Sequence, residues 1–204
     1  MTIRHQRYFE AIQPIPYVIN RNRFYWIISQ YPDKHQVSAL SNAVAMAGAA
    51  LSEDFPHVEA FFYHAVRHHI EQAERQEDGS NFQNLEIVQA LLLILRFEFT
   101  ETKSLARAWM THGRVIRLLK LLSFDVLDAG DALLSSRTLR VPRATPMTSA
   151  EMDEIRRTFW VSFNMDFFIS AFTQTTPMLQ VHEVSFYAFF ILALPDRGDR
   201  KSVV

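Results

Sequence analysis

LEIVQALLLILRFEF, Leu85 to Phe99, is the stretch on which the fold class turns. It is apolar on nearly every side. A strand reading competes, because the run is apolar and short, but its leucine richness and length favour a helix. At 1.5 Å per residue such a helix is about 22 Å long, the width of a small domain. A helix without a polar face is expected at the centre of a domain, covered on several sides.

The flanking segments supply its covers. On the N-terminal side, YFEAIQPIPYVINRNRFY predicts a short helix ending before Pro14, because residues before proline avoid the helical region, with Pro14 and Pro16 holding an extended bend. Gln36 to Leu51 is alanine-rich, with Val37, Leu40, Val44 and Leu51 at helical spacing and small side chains that permit close helix contact. Asp54 and Pro56 suit the start of the next helix, whose stripe is read as Val58, Phe61, Phe62, Ala65 and His69, and which ends in ERQEDGSN with Gly79 as breaker. On the C-terminal side, Lys103 to Leu122 places Leu105, Trp109, Gly113, Ile116 and Leu119 on one face and Arg107, Thr111 and Arg114 on the wet side. Gly113 costs about 1 kcal/mol of helix propensity relative to alanine, which close approach of a neighbouring helix would justify. Thr148 and Glu151 have capping-box spacing and open a helix to about Phe172, buried through Ile155, Phe159 and Phe163. VSFYAFFILAL reads as helix or strand, Pro195 ends it, and the last residues, 197–204, read as a frayed tail. The fold class is all-α: five to seven helices in one domain over residues 1–204.

Composition narrows the function classes. The chain has 204 residues, 49% hydrophobic and 13% aromatic, enough for a sizeable core. Net charge is −1, so the basic footprint of a protein that grips nucleic acid unaided is absent, and the arginines at 137, 140 and 143 read as solvated surface. There is no cysteine, which excludes disulfides, thiolate zinc sites and a cysteine nucleophile in this chain. The N-terminus lacks the apolar core of a signal peptide, and the run Ile87 to Leu95 falls far short of the roughly 20 residues a membrane span needs; the expectation is a soluble intracellular protein.

No pattern of catalysis emerges. His64 and His68 lie one helical turn apart, a spacing that can bring two imidazoles to one metal, yet no third ligand is fixed, and surface or core-edge histidines are the simpler reading. The acidic pairs Glu53–Asp54 and Glu77–Asp78 are isolated near helix ends, unlike the clustered aspartates that hold magnesium against a diphosphate. Nucleophile-elbow, phosphate-loop and dinucleotide fingerprints are absent. No catalytic, cofactor or metal residues are assigned. Asp166 stands out: it falls within the apolar stripe of Ile155 and Phe159, and a buried carboxylate needs a partner, for which Arg114 and Arg117 are the candidates. Arg156 borders the same face and needs its own acceptor.

Six segments, in order, resemble the regulatory middle homology region of the fungal zinc-cluster transcription factors. They are YFEAIQPIPYVINRNRF (Tyr8 to Phe24), FFYHAVRHHIE (Phe61 to Glu71), VQALLLI (Val88 to Ile94), ARAWMTHGRVIRLLKLLSFDVLD (Ala106 to Asp128), MDEIRRTFWVSFNMDFFIS (Met152 to Ser170) and TTPMLQVHEVSFYAFFILALPD, ending at Asp196. Trp109, Gly113, Arg117, Arg156, Arg157, Trp160 and Asp166 fall on motif positions, and the resemblance covers about residues 7–196. Ser123 replaces a usual glycine, so a less tightly turned helix end is expected there, and Phe167 replaces an arginine beside Asp166.

The resemblance implies a nuclear regulator of transcription by RNA polymerase II, whose DNA contact comes from a six-cysteine, two-zinc cluster that this chain does not contain. It implies that the seven motif residues define the fold rather than a ligand site, and that the chain is the N-terminal part of a larger helical regulatory domain. Protein partners, self-association or a small-molecule effector are the expected ligands; DNA is expected only through the missing cluster, and no membrane contact is expected. The alternative is a stand-alone helical interaction or ligand-binding module that acts through protein partners.

Overall fold

Leu85–Thr100 is a helix, and 11 of its 16 residues are buried. A computed structural model describes residues 3–10, 18–51, 58–76, 83–100, 102, 104–127 and 148–179. Among them are seven α-helices, one short 3₁₀ turn (Phe124–Val126) and no strand. The helices are α1 (Ile3–Glu10), α2 (Arg21–Gln30), α3 (His35–Ala50), α4 (Val58–Arg75), α5 (Leu85–Thr100), α6 (Leu105–Leu121) and α7 (Ser149–Thr173). The all-α reading holds.

α5 is the hub. α3, α4, α6 and α7 all pack on it, and α1 and α2 reach the core through α3. Ile87, Val88, Ala90, Leu91, Ile94 and Leu95 are at most 1% exposed, and each large side chain among them contributes about 1.5–3 kcal/mol by leaving water. A smaller cluster of Leu95, Ala108 and Ile169, with Phe99 and Met165 against it, joins the end of α5 to α6 and α7.

Local chemistry fixes the ends. Asn20 caps α2 by accepting the Arg23 N–H, and Asn84 does the same for α5 through the Ile87 N–H. Thr148 and Glu151 form the capping box that opens α7. Asp54, Pro56, Gly79, the prolines at 14 and 16, residues 128–147 and the apolar run before Pro195 lie outside the described residues.

Three expectations need correction. The buried stripe of α4 is Tyr63, Val66, Ile70 and Ala73, while Phe61 is 69% exposed. On α6 only Ile116 and Leu119 of the expected face are buried; Leu105 and Trp109 are exposed, and Thr111, expected on the wet side, is buried with Ala108, His112, Val115 and Leu118. The reason is the same in both helices. Tyr63 and Thr111 must reach a carboxylate in the core, and that requirement outweighs the gain from burying Phe61 or Trp109. The third concerns the end of α6. Ser123 sits in the left-handed region, φ 58°, so the turn is as tight as a glycine would make it, and serine bears the strain.

The close helix approach credited to Gly113 belongs to Gly48. A Cβ on Gly48 would lie 2.0 Å from the Arg4 carbonyl oxygen, so α1 crosses α3 at backbone contact. A Cβ on Gly113 would meet only the Arg117 side chain, at 3.7 Å. Beside the crossing, His5 Nε2 lies 3.0 Å from the Ser41 carbonyl oxygen, and burial holds the His5 imidazole below its ordinary pKa, against the effect of that carbonyl.

Candidate functional site

Three buried carboxylates, Glu98, Glu154 and Asp166, join the helices to one another, and one of them, Asp166, is a motif position. Glu98, near the end of α5, is inaccessible to solvent. It accepts hydrogen bonds from the Tyr63 hydroxyl at 2.6 Å, the Thr111 hydroxyl at 2.6 Å and Arg67 Nη1 at 3.2 Å, tying α4 and α6 to α5. Burial and the neighbouring Glu98 raise the Tyr63 phenol above its ordinary pKa, so it stays a donor.

Glu154, in the first turns of α7, is 1% exposed. Its Oε1 accepts from Gln89 Nε2 at 2.9 Å, from the Asn20 N–H at 3.0 Å and from Arg23 Nη1 at 3.5 Å. Arg23 also pairs with Glu86, and Gln89 Nε2 lies 2.9 Å from the Val18 carbonyl. This cluster joins the residues before α2 to α5 and α7.

Asp166 is fully buried on α7, as its place in the apolar stripe predicts. Its partner is neither Arg114 nor Arg117. Its Oδ1 lies 3.0 Å from His112 Nε2 on α6, an ion-pair contact that departs from hydrogen-bond geometry, and its Oδ2 accepts the Leu179 N–H at 2.7 Å. Burial pushes the Asp166 carboxyl up, but His112 and the backbone N–H groups of Leu179 and Met178 outweigh it and hold it below its ordinary value. The arginines fail for a geometric reason: Arg114 points to Glu74 on α4, and Arg117 is exposed, whereas His112 is on the side of α6 that meets α7. The carboxylate–imidazole pair is sealed, with Asp166 0% and His112 3% exposed, so a substrate reaches it only by prising the helices apart.

The seven motif positions divide. Trp160 is buried, edge-on to Phe159 and Phe163, and Asp166 is buried. Arg156 is half-buried and binds Asp153 of its own helix at 2.8 Å; Arg157 is also half-buried. Trp109, Gly113 and Arg117 lie on the outer face of α6, away from the three carboxylates. Sequence reasoning missed Glu98, Glu154, Gln89 and His112. For Gln89 and Glu98 the available signal was an amide and an acid inside a largely apolar run; Glu154 and His112 sit among polar neighbours and gave no such signal.

His64 and His68 are exposed on α4. His69 turns to α3 instead, its Nδ1 3.2 Å from that of His35, and burial together with His35 and His68 lowers its pKa. Among the described residues no three histidine or acidic side chains converge on a metal position. A zinc cluster built on cysteine thiolates does not fit the residues present, since the chain has no cysteine. No described helix is long and apolar enough to cross a membrane.

Comparison with known proteins identifies the family to which this all-helical bundle belongs. The chain belongs to the fungal specific transcription factor domain family, whose model matches residues 5–197. It is similar to the azaphilone cluster-specific transcription factor of Aspergillus niger, 32% identical over 161 residues that make up 79% of this chain and 34% of that protein. The pigment biosynthesis transcriptional activator of Monascus ruber is 29% identical over 82% of this chain and 29% of its own length. The depudecin biosynthesis cluster-specific transcription activator of Alternaria brassicicola is 35% identical over 78% of this chain and 25% of its own. The chain thus spans about a quarter to a third of these relatives. No solved structure matches it.

Proposed function

We propose that this chain is the helical regulatory region of a nuclear transcription factor that controls a biosynthetic gene cluster. The observation that carries the reading is the match of nearly the whole chain to the family, together with relatives whose names place them at azaphilone, pigment and depudecin clusters. The buried carboxylates support it. Each is a buried acid that ties two or three helices together, which suits a module that holds or transmits a conformation. DNA recognition belongs to a cysteine cluster encoded outside this chain, and of the seven motif residues the buried Trp160 and Asp166 serve the fold.

The second reading is a helical interaction module acting only through protein partners. Mapping both ends of the native transcript separates the two. A six-cysteine segment in frame upstream supports the transcription-factor reading; a message that encodes no such segment overturns it and leaves the interaction module.

A further inference from the structure

The outer face of α6 carries features that its own packing does not use. Met110 is 66% exposed and Trp109 43%, one helical turn from Gly113, and Arg117 continues the same face. Gly113 weakens the helix, yet a Cβ there would meet nothing nearer than Arg117 Nη1 at 3.7 Å, so the free protein gains no packing from the missing side chain. Gly113, next to the exposed Trp109 and Met110 and covered only by the end of the Arg117 side chain, gives a notch into which another backbone can be laid.

Charge says what kind of backbone. α6 contains Arg107, Arg114, Arg117 and Lys120 and no acidic residue. Arg114 is bound to Glu74 and Lys120 to the Met178 carbonyl, while Arg107 and Arg117 are exposed and have no ion-pair partner among the described residues. The first turn of α6 has no acid, and Ser104 makes no side-chain cap. A second copy of this chain would set these arginines against their own counterparts. Nucleic acid would meet the arginines but leave Trp109 and Met110 without apolar cover.

From this we infer that the face formed by Trp109, Met110 and Gly113, flanked by Arg107 and Arg117, docks an acidic amphipathic helix, one whose apolar stripe lies along the notch and whose carboxylates meet the two arginines. This is helix-in-groove recognition, with electrostatics setting the choice of partner. It rests on the geometry of α6 and not on the transcriptional reading.

The test is fluorescence anisotropy of labelled synthetic 18-residue helices titrated with the full chain: a leucine–glutamate peptide, its leucine–lysine counterpart, and a DNA duplex. The leucine–glutamate peptide is expected to bind, and the other two to bind at least tenfold more weakly. Arg117→Glu and Gly113→Leu should each weaken the leucine–glutamate peptide at least tenfold. Gly113→Leu should leave the melting temperature unchanged or raise it, because among the described residues only the flexible end of the Arg117 side chain lies over Gly113. Failure of the leucine–glutamate peptide to bind overturns the proposal, as does equal binding of the lysine peptide or the duplex. Unaltered binding by either variant also overturns it, and so does a fall in the melting temperature of Gly113→Leu, which would mean that the notch is already filled.

Discussion

Two glycine-to-alanine substitutions, at positions 48 and 113, should act in opposite directions although both lie inside helices. Alanine is favoured over glycine in a helix by about 1 kcal/mol, and this gain is common to both sites. At Gly113 little opposes it, since the new methyl finds ordinary contact at 3.7 Å. At Gly48 the methyl would lie 2.0 Å from the Arg4 carbonyl oxygen and 2.9 Å from its carbon, both main-chain atoms that cannot rotate away. α1 must therefore retreat by more than an ångström, loosening Tyr8 and Phe9, each 6% exposed, from the core. Forcing extra volume into packed helices costs about 1–3 kcal/mol, and full release of the two aromatics would cost about 1.5–3 kcal/mol each. The net expectation is that Gly48→Ala destabilises by about 2 kcal/mol and Gly113→Ala stabilises by up to about 1 kcal/mol. For a chain of this size that is a drop of roughly 4–8 °C against a rise of roughly 2–4 °C. Urea unfolding followed by far-ultraviolet circular dichroism reads both. A stabilised Gly48→Ala protein would refute the close crossing of α1 and α3.

Three further substitutions probe the interior. Asp166→Asn should cost about 2–4 kcal/mol, seen as a lower urea midpoint, because it removes one side of a buried pair. Its effect should depend on pH. The Asp166 pKa is lowered in the folded protein, so its contribution is fully present above the unfolded value of about 3.9 and is lost as pH falls through the folded value. The difference between wild type and variant should therefore narrow below about pH 4. Ser123→Gly should stabilise by about 1 kcal/mol, because it relieves the left-handed backbone and removes a buried hydroxyl that has no hydrogen-bond partner; a lowered midpoint would contradict this. Glu154→Ala should cost about 3 kcal/mol by stripping an acceptor from Gln89, the Asn20 N–H and Arg23, and calorimetry would show it as a lower melting temperature.

Helix existence was legible in the sequence because it depends on local matters: leucine-rich runs, caps and prolines. The capping box at Thr148 and the central place of Leu85–Thr100 both followed from such signals. Helix phase was not legible for α4 and α6. Each has bulky apolar residues on more than one side, and the side that turns inward is chosen by partners far away in sequence, Glu98 for Tyr63 and Thr111, Asp166 for His112. The burial of Asp166 could be read from its apolar neighbours on the helix, but its partner could not, because His112 and the arginines two and five residues after it on α6 are equally plausible until the direction of α7 is known. Gly48 was hidden in an alanine-rich run, where its role depends on α1 crossing at that point. Ser123 shows the reverse: the backbone kept the left-handed turn although the usual glycine is missing.

The central claim, a regulatory region acting on biosynthetic genes, is tested most directly by deleting the gene that encodes this chain in its source organism and measuring transcripts of the biosynthetic genes beside it. Loss of those transcripts, with restoration by the wild-type gene and weaker restoration by the Asp166→Asn variant, is the predicted result. Unchanged transcripts under conditions where the neighbouring genes are expressed would contradict the account.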